Sequence, residues 1–313
     1  MPRVVIARHL PEAGRTLLAQ HFEVDDDASR DLAARVRGAD GLIADPTAPV
    51  DAQLLDAAGD SLKVVANFAV GYDNIDVAAC HERGVVVTNT PDVLTNATAE
   101  LALALMLAAA RRLGEAERMV RAGEWAGWEP GQLLGRELSG SVVGIVGLGR
   151  IGTRVAELLR GFDVTLLYVA RSPRPAQEEA RLGARHVALD ELLERSDFVT
   201  LHAPLTPETR HLIDAAALGR MRPGAVLVNT SRGGLVDTAA LARALEEGPL
   251  FAAGLDVYED EPRVPPELTR LEHMVLVPHI GSATTEARNG MARLAAENVI
   301  AVLGGRDPIT PVR

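Results

Sequence analysis

The sequence is poor in cysteine and in long apolar runs, and each shortage excludes a class of protein. Cys80 is the single cysteine of 313 residues, so no internal disulfide can form, and no Cys/His cluster has zinc-site spacing. No uninterrupted apolar run reaches the roughly 18 residues that a membrane span needs. The N-terminus also lacks the apolar region and cleavage site of a signal peptide. These absences predict a soluble, cytoplasmic protein that has no metal site and does not bind membranes.

Lysine is also scarce, and acidic residues outnumber basic ones. Lys63 is the only lysine, the formal net charge is −11, and acids and bases are scattered along the chain rather than grouped. Sequence-independent binding to nucleic acid is therefore excluded, because it requires a dense basic surface. No HExxH pair or GxSxG elbow supports a metalloprotease or a serine hydrolase.

The first part of the chain alternates short apolar runs with helical segments. This succession predicts a small α/β domain with a parallel sheet, because such helices connect parallel strands. The predicted strands cover 4–7, 41–44, 63–66 and 85–88, and the predicted helices cover 12–21, 51–57 and 75–82.

Residues 96–122 are rich in alanine and leucine and predict one long helix, capped by Thr95 or Asn96 and ended by Gly123. The following loop contains both tryptophans of the chain, Trp125 and Trp128. Two interpretations are open for them: the rings form a partner surface, or they pack under the loop.

A second α/β series follows and predicts a full doubly wound sheet. Its six predicted strands cover 142–146, 164–168, 198–202, 225–229, 252–257 and 275–277. The segment 283–303 has a helical pattern and is expected to return to the first domain. The fold class is therefore α/β, with two doubly wound parallel-sheet domains, 1–95 plus 283–313 and 96–282, and a cleft between them.

A glycine-rich turn connects the first strand of the second series to a helix. A strand, a GxGxxG turn and a helix in this order are typical of a dinucleotide site, whose pyrophosphate binds at the helix N-terminus. The turn consists of Gly147, Leu148, Gly149, Arg150, Ile151 and Gly152.

The next strand does not end in the acidic residue that would bind a ribose 2′-hydroxyl. It is followed instead by Arg171, Ser172 and Arg174, which offer guanidinium groups and a hydroxyl to a 2′-phosphate. NADP(H) is therefore expected in preference to NAD(H). In the alternative interpretation the arginines are solvated surface residues and NAD(H) is accepted.

Three polar residues follow predicted strands of this second sheet: Arg232, Glu261 and His279. Ligands of such sheets bind beyond the carboxyl ends of the strands, so all three can face the nicotinamide. Taken singly, each has a structural explanation as a surface arginine, a solvated acid and a core histidine.

Together with their surroundings these residues carry a family resemblance. The segments NTSRGGLVD (229–237), GLDVYEDEP (254–262) and PHIG (278–281), with VGYDNID (70–76) and LTPETR (205–210), resemble the D-isomer-specific 2-hydroxyacid dehydrogenase family. Within that family the chain is most similar to the glyoxylate/hydroxypyruvate reductases. The resemblance implies a flavodoxin-like substrate domain (1–95 plus 283–313) and a Rossmann dinucleotide-binding domain (96–282).

The resemblance also implies a mechanism and the residues that perform it. The backbone N–H groups of Val70 and Gly71 bind the substrate carboxylate together with Arg232. Glu261 orients His279, which donates the proton as hydride reaches the keto carbon. The implied cofactor contacts come from the glycine turn, from the 2′-phosphate residues and from Thr98, Pro204, Thr209, Thr230, Ser231, Arg232, Asp256, His279 and Gly281.

Two further expectations follow from the resemblance. The chain forms a homodimer through the segment 97–138, and Trp128 reaches the substrate site of the partner subunit. The expected reaction is the NADP(H)-dependent reduction of glyoxylate or hydroxypyruvate to glycolate or D-glycerate. The alternatives are another D-2-hydroxyacid dehydrogenase, acting on D-lactate or a bulkier acid, and a corepressor-like module that binds dinucleotide without turnover.

Overall fold

The computed structural model describes residues 1–312. The chain divides into two compact units. The first unit contains Met1–Leu94 and the residues from Ser282 onward, and the second contains Thr95–Gly281.

The first unit is built on a five-stranded sheet in which every neighbouring pair is parallel. Its strands are β1 (Arg3–Ile6), β2 (Glu23–Asp25), β3 (Gly41–Ala44), β4 (Val64–Asn67) and β5 (Val86–Thr88). Its helices are α1 (Glu12–Ala19), α2 (Leu32–Arg35), α3 (Ala52–Ala58), α4 (Val77–Glu82) and α13 (Thr285–Leu303). The order β2-β1-β3-β4-β5 is the flavodoxin-like doubly wound order, as predicted.

Local signals in the sequence explain where these helices begin and how two of them pack. The carboxylates of Asp31, Asp51 and Asp76 each accept a hydrogen bond from the N–H group three residues ahead, and thereby cap α2, α3 and α4. Gly14 allows α1 to approach α13 closely, because a Cβ at this position would lie 2.4 Å from the carbonyl oxygen of Ala292. The predicted return of the C-terminal helix is thus realised within the first unit.

The C-terminal residues lie along β5, which is the last strand of this sheet. Thr88 pairs with Pro311 in an antiparallel bridge, and Val312 N–H donates to the carbonyl of Val87 at 2.8 Å. The buried side chain of Asn298 accepts hydrogen bonds from the N–H groups of Ile309 and Thr310, which fixes this tail on α13.

The second unit contains a seven-stranded parallel sheet, where six strands were predicted. Its strands are β6 (Val142–Val146), β7 (Thr165–Val169), β8 (Ala184–His186), β9 (Phe198–Leu201), β10 (Ala225–Asn229), β11 (Leu250–Leu255) and β12 (Met274–Leu276). The order β12-β11-β10-β9-β6-β7-β8 is the Rossmann order with one further strand. The additional strand β8 was not predicted, because it has only three residues, two of them polar.

Helices cover both faces of this second sheet. The apolar core on one face includes residues of α5 and α7, and the core on the other face includes residues of α9, α10 and α11. The helices are α5 (Thr95–Ala110), α6 (Leu113–Ala122), α7 (Arg150–Leu159), α8 (Ala176–Leu182), α9 (Leu189–Arg195), α10 (Ala215–Arg220), α11 (Thr238–Glu246) and α12 (Pro266–Thr269).

The prediction of one long helix over 96–122 is wrong. The chain breaks between α5 and α6 at Arg112, which adopts a φ of 52°. The cause is a tertiary contact: Arg136 N–H donates to the carbonyl of Ala110 at 2.8 Å, so that carbonyl is not available to continue the helix. The environment changes at the same point, since half of the residues of α5 are buried whereas α6 has no buried residue.

Within residues 1–312, none of the helices combines the length and the apolar character needed to cross a membrane.

Candidate functional site

The glycine turn lies between β6 and α7 and brings two parts of the second unit close together. Gly147 has a φ of 97°, and a Cβ here would lie 2.6 Å from the backbone nitrogen of Ala203, just beyond β9. A Cβ on Gly152 would lie 2.1 Å from the carbonyl oxygen of Gly147. Both positions therefore require glycine for the fold itself.

Gly149 differs from these two glycines. A Cβ at this position would meet no atom of the described chain within 4 Å, so protein packing does not explain the glycine. The backbone here is open where α7 begins, and a ten-residue helix presents its free N–H groups at that end. A pyrophosphate can approach this backbone only if no side chain stands in the way, so the turn fits a dinucleotide.

The loop after β7 carries the residues expected at a 2′-phosphate. Arg171 and Ser172 are exposed and form no hydrogen bond or ion pair with any residue of 1–312. The Arg174 guanidinium donates to the carbonyl of Leu148, which connects this loop to the glycine turn. The turn and the loop therefore lie next to each other in the second unit.

Glu261 and His279 form a close pair beyond the carboxyl ends of β11 and β12. His279 Nδ1 lies 2.7 Å from Glu261 Oε2. The other carboxylate oxygen, Oε1, accepts the N–H of Tyr258 at 3.0 Å. With Nδ1 held by the carboxylate, the second ring nitrogen of His279, Nε2, is left to contact a ligand.

The backbone around His279 is held by Asp256, at the end of β11. The two carboxylate oxygens of Asp256 accept the N–H groups of Ile280 at 2.6 Å and Gly281 at 2.8 Å. His279 itself adopts a φ of 52°, which is uncommon for a residue with a side chain. The Asp256 contacts stabilise that conformation and thereby fix the direction of the imidazole.

Arg232 follows β10 in the sheet, next to β11. Its carbonyl accepts a hydrogen bond from the Asn229 side chain at 2.8 Å. The neighbouring Gly233 allows the Glu261 loop to approach, because a Cβ there would lie 2.0 Å from the carbonyl carbon of Tyr258. The turn that carries Arg232 and the loop that carries Glu261 are thus in contact.

The charges of this cluster act on one another. Burial alone would raise the pKa of Glu261, but the hydrogen bonds from His279 and Tyr258 and the charges of His279 and Arg232 together lower it below its ordinary value. The structure therefore brings Arg232, Glu261 and His279 into one electrostatic group.

Several expected cofactor residues lie around this group within the second unit. Thr98 Oγ1, on α5, donates to the carbonyl of Gly281 at 3.1 Å. Thr209 Oγ1 donates to the carbonyl of Pro204 at 2.7 Å. Ser231 Oγ donates to the carbonyl of Ala203 at 2.5 Å, beside the glycine turn. The Thr230 Oγ1 atom is buried and has no hydrogen-bond partner among residues 1–312.

Val70 and Gly71 lie in a loop of the first unit, and the carbonyl groups of the two peptides that contain their N–H groups accept hydrogen bonds. The Ala69 carbonyl accepts Thr90 N–H at 2.9 Å, and the Val70 carbonyl accepts the Asn89 amide at 2.8 Å. The N–H groups of Val70 and Gly71 form no hydrogen bond within residues 1–312. In a trans peptide the N–H points opposite to the C=O. Fixing these carbonyls therefore turns both N–H groups outward, as an anion site requires.

The side chain of Phe68, beside this loop, is 5% exposed, and the Arg288 guanidinium lies 5.7 Å from the centre of its ring. The tryptophans of the second unit are exposed, Trp125 by 55% and Trp128 by 80%. Within the described chain they do not pack under their loop.

Sequence reasoning missed the residues that act on the site through others. Asn89 contacts the Val70 carbonyl only because the fold brings these two segments together. Tyr258 is close to Glu261 in the sequence, but its contact is made by the backbone N–H, which no residue type reveals. Among residues 1–312 no group of three or more His, Cys, Asp or Glu side chains is placed to hold a metal ion.

Comparison with known proteins supplies the family. Residues 103–281 match the family described as D-isomer specific 2-hydroxyacid dehydrogenase, NAD binding domain. A glyoxylate reductase of Thermococcus onnurineus is 50% identical over 321 aligned residues, which cover 99% of this chain and 96% of that protein.

Two solved structures are similar over nearly their whole length. An NADPH-dependent glyoxylate/hydroxypyruvate reductase of Sinorhizobium meliloti, crystallised with NADP and malonate, has a TM-score of 0.88 and 37% identity, covering 99% of this chain and 96% of that one. D-mandelate dehydrogenase of Rhodotorula graminis has a TM-score of 0.87 and 32% identity, covering 100% and 98%. The chain belongs to the D-isomer-specific 2-hydroxyacid dehydrogenase family and is an NAD(P)-dependent oxidoreductase.

Proposed function

We propose that the protein reduces glyoxylate or hydroxypyruvate to glycolate or D-glycerate, with NADP(H) as the preferred cofactor. The observation that carries the proposal is the His279–Glu261 pair at 2.7 Å beside Arg232, in the same sheet as the glycine turn. The glyoxylate reductase of Thermococcus onnurineus and the reductase of Sinorhizobium meliloti support the choice of substrate.

His279 is the proton donor in this proposal. In the imidazolium form both ring nitrogens carry a proton: Nδ1–H donates to Glu261, and the proton on Nε2 passes to the keto oxygen as the carbon is reduced. The chemistry that a bound reduced nicotinamide supplies is a hydride for the keto carbon. One hydride and one proton together convert the carbonyl into a secondary alcohol, or a primary alcohol from glyoxylate.

Arg232 stabilises negative charge on the substrate. Its planar guanidinium suits a carboxylate and polarises the adjacent keto oxygen, where charge develops as hydride arrives. In the first unit, the outward N–H groups of Val70 and Gly71 are proposed to bind the substrate carboxylate, and Asn89 and Thr90 keep them in that orientation.

The proposed preference for NADP(H) depends on the loop after β7. Arg171 and Ser172 are exposed and form no bond within the described chain, so binding a 2′-phosphate would not require them to break one. The absence of an acidic residue at the end of β7 removes the repulsion that a 2′-phosphate would meet there. NAD(H) is expected to bind more weakly, through the pyrophosphate that both cofactors share and that the glycine turn contacts.

The active form is proposed to be a homodimer built on residues 97–138. The helix α6 buries no residue within the chain, although it carries Leu113 and Val120, which are 53% and 62% exposed. Trp125, Trp128 and Leu134 add further exposed apolar surface in the same segment. A second copy of the chain would cover this surface, and Trp128 would then reach the partner's substrate site.

The test is a set of initial rates for glyoxylate, hydroxypyruvate, pyruvate and phenylglyoxylate with NADPH and with NADH. We expect the highest kcat/KM for glyoxylate or hydroxypyruvate with NADPH. Faster turnover of phenylglyoxylate or pyruvate would assign another D-2-hydroxyacid substrate, and the 32% identity to a D-mandelate dehydrogenase makes phenylglyoxylate a relevant comparison. Tight NADPH binding without turnover of any keto acid would favour the corepressor-like alternative.

A further inference from the structure

The hydroxyl of Tyr168 holds the backbone of the loop that follows β7. The Tyr168 ring is fully buried. Its oxygen accepts the N–H of Arg174 at 2.6 Å, and its proton is directed to Glu179 Oε1 at 2.7 Å. Glu179 lies on α8, so the hydroxyl connects the loop both to the strand before it and to the helix after it.

The other end of the same loop is held as well. The Ala170 carbonyl lies 3.1 Å from His186 Nε2, and the rings of His186 and Tyr168 are 5.1 Å apart. Both ends of residues 170–174 therefore depend on the Tyr168–His186 pair. Between these anchors lie Arg171 and Ser172, which are exposed and form no hydrogen bond or ion pair in the described part of the chain.

Glu179 decides which way the Tyr168 hydroxyl points. A hydroxyl has one proton to donate, and Glu179 accepts it, so a lone pair of the oxygen is left to accept from Arg174 N–H. Phenylalanine at position 168 would fill the same space and would leave the Arg174 N–H without this acceptor. The loop backbone would then be held less firmly at Arg174, although the guanidinium of that residue still donates to the Leu148 carbonyl, while the core stays packed.

We infer that Tyr168 is a positioning residue for recognition of the 2′-phosphate, acting through the backbone of the Arg171–Arg174 loop. The inference rests on the proposed use of NADP(H). A loop that is already ordered loses less conformational entropy when it binds a ligand, so its anchor contributes to affinity without touching that ligand. The contribution applies to a ligand that the loop contacts, which is the 2′-phosphate and not the 5′-phosphate at the glycine turn.

The test measures binding rather than turnover, with two probes that differ only in the 2′-phosphate. Dissociation constants of adenosine 2′,5′-bisphosphate and of adenosine 5′-monophosphate are determined by calorimetry for the wild type and for Tyr168→Phe. We expect Tyr168→Phe to raise the dissociation constant of the bisphosphate by about 3- to 10-fold, which is the effect of one lost hydrogen bond. Binding of the monophosphate should change by less than about 2-fold.

Glu179→Ala and Glu178→Gln complete the design. Glu179→Ala removes the group that orients the hydroxyl without altering the buried ring, and should show the same selective loss even if Tyr168→Phe fails to fold. Glu178→Gln is the matched control on the same helix and should bind both probes like the wild type.

The outcomes separate the two proposals. If the wild type binds both probes equally, the preference for NADP(H) is wrong and the inference is overturned with it. If the wild type prefers the bisphosphate but the two variants keep that preference, or lose affinity for both probes equally, only the role of Tyr168 is overturned.

Discussion

His279 Nδ1 and Glu261 Oε2 lie 2.7 Å apart, and each of the two residues is also fixed by a further hydrogen bond. Tyr258 N–H occupies the other oxygen of the carboxylate, and Asp256 holds the backbone that follows the histidine. The pair is thus preorganised before any substrate arrives, which is the condition under which a single proton donor is most effective.

Loss of the proposed proton donor should affect the chemical step far more than cofactor binding. We expect His279→Gln to lower kcat by about 10²- to 10⁴-fold, because glutamine cannot donate an acidic proton to the keto oxygen. Glu261→Gln should lower kcat by a smaller factor, since the amide oxygen of the glutamine can still accept a hydrogen bond from His279 Nδ1. Steady-state kinetics measure both, with NADPH affinity as the control. A His279→Gln enzyme with nearly normal kcat would exclude this residue as the donor.

The stability of the fold should depend on pH through Glu261. Its pKa in the folded chain lies below the ordinary value of 4.5, so the unfolded chain binds the proton more readily. The carboxylate therefore contributes its full stabilisation above about pH 4.5 and loses it as the pH falls through the lower folded pKa. Chemical unfolding of the wild type and Glu261→Gln should show a difference in free energy that is constant near neutral pH and shrinks in acid. A difference that grows in acid would contradict the assignment.

Two glycines of the phosphate turn should respond differently to alanine. Gly149→Ala should fold with an unchanged Tm, because its Cβ meets nothing within 4 Å, but should raise the KM for NADPH at least about 10-fold by blocking the pyrophosphate. Gly152→Ala is the structural counterpart, since its Cβ would lie 2.1 Å from the Gly147 oxygen, and it should lower the Tm. Unchanged NADPH binding in a folded Gly149→Ala protein would show that the cofactor does not approach this backbone.

The orientation of the Gly71 amide should depend on Asn89. Asn89→Ala removes the donor to the Val70 carbonyl, so the peptide between Val70 and Gly71 can turn and its N–H no longer faces outward. We expect the KM for glyoxylate to rise by about 5- to 10-fold, the effect of one weakened hydrogen bond to a charged group. The KM for NADPH serves as the internal control. An equal rise in both would indicate a general loss of structure instead.

The proposed dimer should depend on the exposed face of α6. Val120→Asp places a charge on a residue that is 62% exposed, so the single chain should still fold, whereas an apolar interface would not tolerate it. Sedimentation velocity should then detect a monomer. Trp128→Ala should preserve the dimer and raise the KM for the keto acid. If Val120→Asp sediments like the wild type, the interface lies elsewhere.

Most of the architecture was predictable because the central strands are apolar and long enough to be recognised. β6 and β10 were predicted with their observed bounds, and the glycine turn identified the Rossmann unit. The short strands β2 and β8 were missed, since three residues that include charged side chains are too few to give a periodic signal. The break between α5 and α6 was missed because it depends on the contact of Arg136 with Ala110 across a long loop.

The candidate site likewise contains residues that the sequence predicted and residues that it did not reveal. The positions of Arg232, Glu261 and His279 after apolar strands allow them to face a ligand, but their roles were predicted only from the family resemblance of the segments that surround them. The anchors Asn89 and Tyr168 were not recognised, since their roles depend on hydrogen bonds to backbone groups whose partners the sequence does not reveal.

The tail that lies along β5 has a consequence for handling the protein. A strand at the edge of a sheet has a row of backbone N–H and C=O groups without a neighbouring strand. These groups can pair with another molecule, and such exposed edges promote aggregation. Pro311 and Val312 cover part of that border, and proline adds no donor of its own. Truncation before Ile309 should therefore expose the edge of β5 and yield a chain that self-associates at high concentration.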